Sequence, residues 1–172
     1  MNLMSATGRP LNAVPHRQVG STRRIADGLP PQEIAIDVDV QDSRRALEAA
    51  AAIIGRANGL DSAPIFRALW RREQVGSTGL GQGVAIPHAR IAGITRPLTL
   101  FMRTRLAMEF AAPDGKLVSN FLFIMVPEEG NPEKHLQLLA EVAAMFADRE
   151  FRARLNAAST SVEIAMVFAG RS

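Results

Sequence analysis

Two histidines of this chain stand where an imidazole could carry or stabilise a covalent group. His88 follows Pro87 and an apolar stretch, and proline restricts how the backbone approaches the histidine. Neutral imidazole is a good nucleophile near pH 7. His135 falls at about the fourth position of a helix predicted to begin at Asn131 and Pro132, where free N–H groups suit an anion. Simpler roles stay open: His88 as a structural histidine bonded to a carbonyl, and His135 as a half-exposed surface residue.

A glycine-rich stretch, residues 76–83, lies between His88 and a possible arginine partner. Closely spaced glycines let backbone N–H groups approach a phosphate. The stretch is neither a P-loop nor a dinucleotide-binding fingerprint, and an ordinary irregular loop is the alternative. Arg72 precedes it by four residues and could hold a phosphoryl group with its planar fork, or satisfy the last carbonyls of a helix. The candidate phosphate-loop residues are Ser77, Thr78, Gly79, Gly81 and Gly83.

Other chemistries are poorly supported. The sequence has no cysteine, which excludes disulfides, thiol catalysis and zinc sites with cysteine ligands. A hydrolase or metal enzyme that uses His88 and His135 with a carboxylate would be expected to show a zinc-binding histidine–glutamate motif, and none is present. We therefore expect no metal and no cofactor.

The elements that must position these residues alternate between strands and helices. Period-two alternation at Ile36, Val38 and Val40 predicts a half-exposed strand. The apolar run 121–126 predicts a central strand buried on both faces, and the segment 98–104 predicts another. The turn signal Asp114–Gly115 predicts a hairpin between 108–110 and 116–118.

The predicted helices have recognisable caps. The first begins at Asp42 or Ser43 and ends at Asn58–Gly59, and the second runs from about 61–64 to Gly76. Shorter helices are predicted over 150–156 and 162–168. The helix after Asn131 is expected to bury one face, made of Leu136, Leu139, Ala140, Ala143 and Phe146. Together the pattern predicts an α/β fold with strands and helices packed in layers.

Size and charge limit the possible functions. The chain has 172 residues, enough for one domain. Its net charge is +3, but residues 1–24 contain four arginines and no acid, so residues 25–172 have a net charge of −1. We predict a disordered extension over 1–24, a single domain over 25–172, and no nucleic-acid partner. The sequence has no apolar run of about 20 residues, so no membrane insertion is expected, and the missing cysteines fit a cytoplasmic location.

Residues 72–88, REQVGSTGLGQGVAIPH, resemble the active-site segment of enzyme IIA components of the phosphoenolpyruvate-dependent sugar phosphotransferase system. The likeness is greatest to the fructose/mannitol class and, within it, to the nitrogen-regulatory type. It continues through 114–116, 121–126 and 134–136, and covers about 25–168. Two positions depart from the pattern: many relatives have Asn in place of Gln82 and Gly in place of Ala89.

The resemblance implies a mixed β-sheet with helices on both faces. It also implies that His88 accepts a phosphoryl group through Nε2 while a backbone carbonyl holds Nδ1–H, and that Arg72 and His135 assist. The donor would be a small histidine-containing phosphocarrier protein.

The resemblance is compatible with more than one recipient of the phosphoryl group. The absence of an attached permease segment favours a free-standing, phosphorylation-dependent regulator that binds another protein. The alternatives are a sugar-transport subunit that passes phosphate to a separate IIB protein, and a non-catalytic IIA-like binding module.

Overall fold

The computed structural model describes Ile25 and residues 28–170. The predicted extension over 1–24 therefore lies outside the described residues, and the single-domain boundary at 25–172 stays a prediction. A short 3₁₀ helix spans Pro31–Glu33. The strands are β1 (Ile34–Val38), β2 (Gly79–Gly81), β3 (Val84–Ala85), β4 (His88–Ile91), β5 (Leu98–Met108) and β6 (Val118–Pro127). The helices are α1 (Ser43–Asn58), α2 (Ser62–Val75), α3 (Pro132–Ala147), α4 (Arg149–Ala157) and α5 (Ser161–Ala169).

The six strands form one mixed sheet in the order β1-β5-β6-β3-β2. β5 and β6 form a long antiparallel pair, while β1 runs parallel to β5. β3 and β4 both run parallel to β6, one after the other along the same side of it. Among the described strands β4 pairs only with β6, so it lies at an edge of the sheet.

The sheet separates two hydrophobic cores, because successive side chains of a strand point to opposite faces. Along β6, Phe121, Phe123 and Met125 pack with α1 and α2 on one face. Leu122, Ile124 and Val126 pack with α3, α4 and α5 on the other. This arrangement confirms the predicted mixed sheet with helices on both faces and the doubly buried central strand.

The predicted ends of α1 and α2 are confirmed by their caps. The Asp42 carboxylate accepts a hydrogen bond from the Arg45 N–H at 2.7 Å, and Gly59 ends α1 with a φ of 66°. Asp61 caps α2 in the same way through the Ala63 N–H. Both helices therefore begin and end where their sequences dictate, which fixes the position of Arg72 in the last turn of α2.

Two predictions need correction. The buried face of α3 is made by Val142, Met145 and Phe146, whereas Leu136 and Ala140 are exposed. Apolar residues occupy most of this helix's circumference, so periodicity alone does not select the buried side. In the predicted hairpin, β5 continues to Met108, which pairs with Val118, and residues 109–117 form the connecting loop rather than strands.

Of the helices that the structure describes, none is long and apolar enough to cross a membrane.

Candidate functional site

His88 lies at the point where the chain resumes its pairing with β6. β3 ends at Ala85, and β4 begins at His88. Pro87 has no N–H to donate, which explains a break in the ladder at this position. Its carbonyl still accepts a hydrogen bond from the Ile124 N–H at 3.0 Å, so the break is held against the central strand. The result is a half-buried imidazole at a fixed place on the sheet edge.

Hydrogen bonds fix the tautomer of His88. Nδ1 lies 2.8 Å from the carbonyl oxygen of Ile86. A carbonyl can only accept, so the proton is on Nδ1 and the lone pair is on Nε2. Arg72 confirms the assignment, because its Nε–H donates to His88 Nε2 at 3.2 Å. The imidazole is therefore neutral, with its nucleophilic nitrogen directed to a guanidinium.

Arg72 joins the end of α2 to both the histidine and the glycine-rich stretch. While Nε–H donates to His88, NH1 donates to the carbonyl of Gly76 at 2.9 Å. The two roles that the sequence left open, phosphoryl ligand and cap for terminal carbonyls, are thus compatible in one side chain. Because two of its nitrogens are engaged in different directions, the guanidinium plane is held in place.

His135 stands beside His88, in the first turns of α3. The two ring centroids lie 5.7 Å apart, and the rings are nearly perpendicular at 76°. His135 Nε2 is buried and forms no hydrogen bond within the described part of the chain. Leaving a buried polar atom unpaired typically costs about 1–3 kcal/mol. This atom therefore has unused hydrogen-bonding capacity beside His88.

Burial and neighbouring cations favour the neutral form of both imidazoles. Desolvation lowers the pKa of His88, and the Arg72 charge lowers it further, against an opposing contribution from the Ile86 carbonyl. Desolvation also lowers the pKa of His135, followed by the influence of His88, Arg90 and Arg72. An unperturbed imidazole has a pKa of about 6.5 and is already mostly neutral at pH 7. Because both pKa values are lowered from there, both rings are neutral near pH 7.

The candidate phosphate loop has more internal hydrogen bonds than its sequence suggests. The Ser77 hydroxyl donates to the carbonyl of Phe110 at 2.7 Å and accepts from the Gly79 N–H at 3.0 Å. The backbone N–H and the hydroxyl of Thr78 both donate to the carboxylate of Glu73, at 3.0 and 2.6 Å. Ser77 and Thr78 therefore brace the segment in this structure, and their role as phosphate ligands stays a prediction.

The second half of the stretch is a tight turn between β2 and β3. Gln82 and Gly83 both have positive φ, 54° and 78°, as a two-residue hairpin turn requires. The Asp114 carboxylate anchors this turn by accepting from the Gln82 N–H at 2.8 Å. A side chain on Gly81 would meet the same carboxylate at 3.0 Å. These two glycines thus serve the shape of the hairpin.

Sequence reasoning missed Arg90, which connects the strand of His88 to the helix of His135. Its NH1 donates to the carbonyls of Glu128 and Gly130, at 3.1 and 3.2 Å, just before α3 begins. The sequence does indicate that Arg90 lies near the site, because it follows His88 by two residues and so lies on the same side of β4. The acceptors could not be inferred, since they lie about forty residues away in sequence.

The surface around the site combines apolar and cationic side chains. Val75, Leu80 and Leu136 are exposed and lie on the three elements next to the site, α2, β2 and α3. A shallow cleft of about 240 Å³ lies between α2 and β4. Its lining contains Arg67, Arg71 and Arg90, with Glu128 as the acidic member.

In the described part of the chain, no three histidine, cysteine, aspartate or glutamate side chains are grouped so as to hold a metal ion.

Comparison with known proteins places this geometry in a family. Residues 29–170 match the family model described as phosphoenolpyruvate-dependent sugar phosphotransferase system, EIIA 2. A nitrogen regulatory protein of Pseudomonas aeruginosa is 35% identical over 139 residues, covering 80% of this chain and 90% of that protein.

Solved structures agree. The nitrogen regulatory protein IIA-Ntr of Neisseria meningitidis has a TM-score of 0.77 and 39% identity, over 84% of this chain and 98% of that one. The mannitol IIA of Escherichia coli shares the fold, with a TM-score of 0.68 at 16% identity over 82% and 99% of the two chains. The chain therefore belongs to the EIIA 2 family of the phosphoenolpyruvate-dependent sugar phosphotransferase system.

Proposed function

We propose that this protein accepts a phosphoryl group on His88 Nε2 from a small histidine phosphocarrier protein, and acts as a phosphorylation-dependent regulator of the nitrogen-regulatory type. The observation that carries the proposal is the pair of hydrogen bonds on one imidazole. Ile86 holds Nδ1–H at 2.8 Å, and the guanidinium of Arg72 lies 3.2 Å from the free lone pair of Nε2. This is a neutral, oriented nucleophile next to a cation suited to phosphoryl oxygens.

All bonds and protons of the transfer are accounted for without a metal or an external base. The Nε2 lone pair forms a bond to phosphorus while the bond between phosphorus and the carrier's imidazole nitrogen breaks. That bonding pair returns to the carrier's nitrogen. The proton on His88 Nδ1 stays in place, and the carbonyl of Ile86 stabilises the positive charge that the ring acquires. In-line transfer of this kind depends mainly on position and on charge stabilisation.

Arg72, His135 and the loop residues assist the phosphoryl transfer in different ways. Arg72 moves its hydrogen bond from Nε2 to a phosphoryl oxygen when the new bond forms. The unpaired Nε2 of His135 donates to another oxygen, which relieves its burial without a partner. The loop residues Ser77, Thr78, Gly79, Gly81 and Gly83 hold the backbone around the site in shape, and any direct contact with phosphate would come from their remaining N–H groups.

The carrier would dock on the apolar rim, defined as Val75, Leu80 and Leu136. An apolar centre with charged residues around it is the usual composition of an interface between two proteins that form a transient complex. The arginines of the neighbouring cleft make this side positive and would favour the approach of a negatively charged phosphohistidine.

The regulatory role rests on the relatives. The relatives at 35% and 39% identity are nitrogen regulatory proteins, and this chain covers at least nine-tenths of each. The proposed partners are therefore a phosphocarrier as donor and a regulated protein as target, in the cytoplasm. A IIB domain as the phosphate recipient is the transport alternative, and a separate IIB protein that takes the label from this chain would support it.

A labelling experiment tests the proposal. The protein is incubated with labelled phosphoenolpyruvate, the phosphotransferase-system kinase and the carrier. One acid-labile, base-stable phosphoryl group should appear on the wild type and map to His88 by mass spectrometry. His135→Ala should be labelled more slowly at the same position. Full labelling of His88→Ala, or a label that maps to His135, would overturn the assignment, and no labelling of the wild type would favour a binding module.

A further inference from the structure

We propose that Glu73 is a positioning residue for His88 and acts through a relay of hydrogen bonds, a role that rests on the proposed function. The relay passes from the Glu73 carboxylate to Thr78, from Thr78 to Ile86, and from Ile86 to the His88 ring. Glu73 does not touch the reacting atoms. It holds the backbone whose carbonyl keeps the proton of His88 on Nδ1.

The first link is a two-point contact. Glu73 accepts the Thr78 N–H at 3.0 Å and the Thr78 hydroxyl at 2.6 Å. Thr78 is only 6% exposed, so water cannot easily replace these bonds. A carboxylate that accepts two hydrogen bonds from one residue restrains both its backbone and its side chain.

The next links reach the imidazole. The carbonyl of Thr78 accepts the Ile86 N–H at 2.9 Å, which extends the pairing of β2 and β3 by one step. The carbonyl of Ile86 then accepts from His88 Nδ1 at 2.8 Å. If Thr78 shifts, the Ile86 N–H loses its acceptor, and the Ile86 carbonyl on the following peptide is held less firmly towards Nδ1. Arg72 then remains as the other contact that selects this tautomer, so the selection becomes weaker.

The same residue also braces Arg72. The Glu73 carbonyl accepts the Gly76 N–H at 3.2 Å, while Arg72 NH1 donates to the Gly76 carbonyl. Glu73 thus connects the end of α2 to the glycine-rich stretch by both its backbone and its side chain. The two groups aligned on His88 Nε2 and Nδ1 are held by one residue that the reaction itself does not use.

Substitutions at Glu73 and Thr78 separate position from charge. Glu73→Ala removes both acceptors and should slow phosphoryl acceptance by about tenfold. Glu73→Gln can still accept from the Thr78 N–H and donate to its hydroxyl, so it should stay within about threefold of the wild type. Thr78→Ser keeps both hydrogen bonds and Thr78→Val loses one, so serine should preserve the rate better than valine. Gln74→Ala, an exposed neighbour in the same turn, is the matched control and should be unchanged.

The decisive readout is the ¹⁵N NMR spectrum of His88 in each unphosphorylated variant. In the wild type, Nδ1 should be protonated and Nε2 unprotonated. Glu73→Ala should show a mixture of tautomers and faster exchange of the Ile86 amide, and Glu73→Gln should not. A wild-type His88 spectrum and rate in Glu73→Ala, or an equal loss in Glu73→Gln, would overturn the relay. Because these spectra need no carrier, the relay can fail while phosphorylation of His88 stands, and the reverse.

Discussion

At the scale of single residues, the two ring nitrogens of His88 have different partners. Ile86 occupies one nitrogen of His88 with a carbonyl, and Arg72 approaches the other with a guanidinium. The same imidazole without these neighbours would sample both tautomers and would be partly protonated near its ordinary pKa. The neighbours therefore make a common side chain into a directed nucleophile.

The planar fork of Arg72 should matter more than its charge. In Arg72→Lys, a single ammonium cannot contact both His88 Nε2 and the Gly76 carbonyl as the guanidinium does. We expect phosphoryl acceptance to fall by about tenfold or more, because one properly placed donor is typically worth 10²–10³ in rate. Thermal unfolding should be nearly unchanged, since the side chain is not fully buried. A wild-type rate in the lysine variant would reduce Arg72 to a helix-end residue.

The pH dependence follows from the lowered pKa of His88. Phosphoryl acceptance should be constant from about pH 8 to 6.5 and should fall below that range, as Nε2 becomes protonated. Between the lowered pKa of folded His88 and the ordinary value of about 6.5, the folded state binds fewer protons than the unfolded state. Stability should therefore also fall as the pH drops from about 6.5 towards the lowered pKa. An NMR titration of His88 checks the assignment, and a midpoint above 6.5 would contradict it.

At the scale of elements, an arginine of β5 attaches the end of α4 to the sheet. Arg103 on β5 donates to the carbonyls of Leu155 and Ala158 at the end of α4, both at 2.6 Å, and to the side chain of Asn120. The Leu155 carbonyl also accepts the Ala158 N–H at 3.2 Å, and the last carbonyls of a helix lack intrahelical partners in the next turn, so the guanidinium acts as a C-terminal cap supplied by the sheet.

Removing this cap should destabilise the domain without changing the chemistry. Arg103→Met removes the guanidinium that donates to the Asn120 side chain and to the carbonyls of Leu155 and Ala158, which should lower the free energy of unfolding by about 1–3 kcal/mol. Arg105→Met is the control on the same strand: its exposed ion pair with Asp39 should contribute less than about 1 kcal/mol. Urea unfolding measures both. An Arg103 variant as stable as the control would show that α4 is held by its apolar face alone.

Local signals in the sequence predicted most of the elements correctly. Caps such as Asp42 and Asp61 and the apolar run of β6 act within a few residues, so α1, α2 and the central strand were predictable. Motif spacing likewise singled out Arg72, His88 and His135, which the structure brings together.

The missed features depend on distant partners. The Ser77 hydroxyl bonds to a carbonyl 33 residues away, so local sequence patterns do not predict that it braces the loop, and its role as a phosphate ligand stays a prediction. The exposure of the first turns of α3 also depends on packing against distant parts of the chain. Its Leu136 looks like a core residue by periodicity, but only the packed structure shows that it lies beside the site rather than in the core.

At the scale of the whole molecule, the apolar rim should decide how well the carrier binds. Leu136→Asp should raise the KM for the phosphorylated carrier by about tenfold, because it replaces an apolar contact at the interface with a carboxylate that must lose water on binding. Its kcat should be unchanged. Leu106→Asp offers a close control, since Leu106 and Leu136 are each 67% exposed and Leu106 lies near the far end of β5. Equal effects of the two variants on KM would place the docking surface elsewhere.

The most direct test of the whole account is to identify the ring nitrogen that carries the phosphoryl group. The protein, labelled with ¹⁵N in its histidines, is phosphorylated by the carrier and examined by ¹H–¹⁵N and ³¹P NMR at alkaline pH. Phosphorus should couple to Nε2 of His88, with Nδ1 still hydrogen-bonded to the carbonyl of Ile86. Phosphorus on Nδ1 of His88, or on either nitrogen of His135, would contradict it.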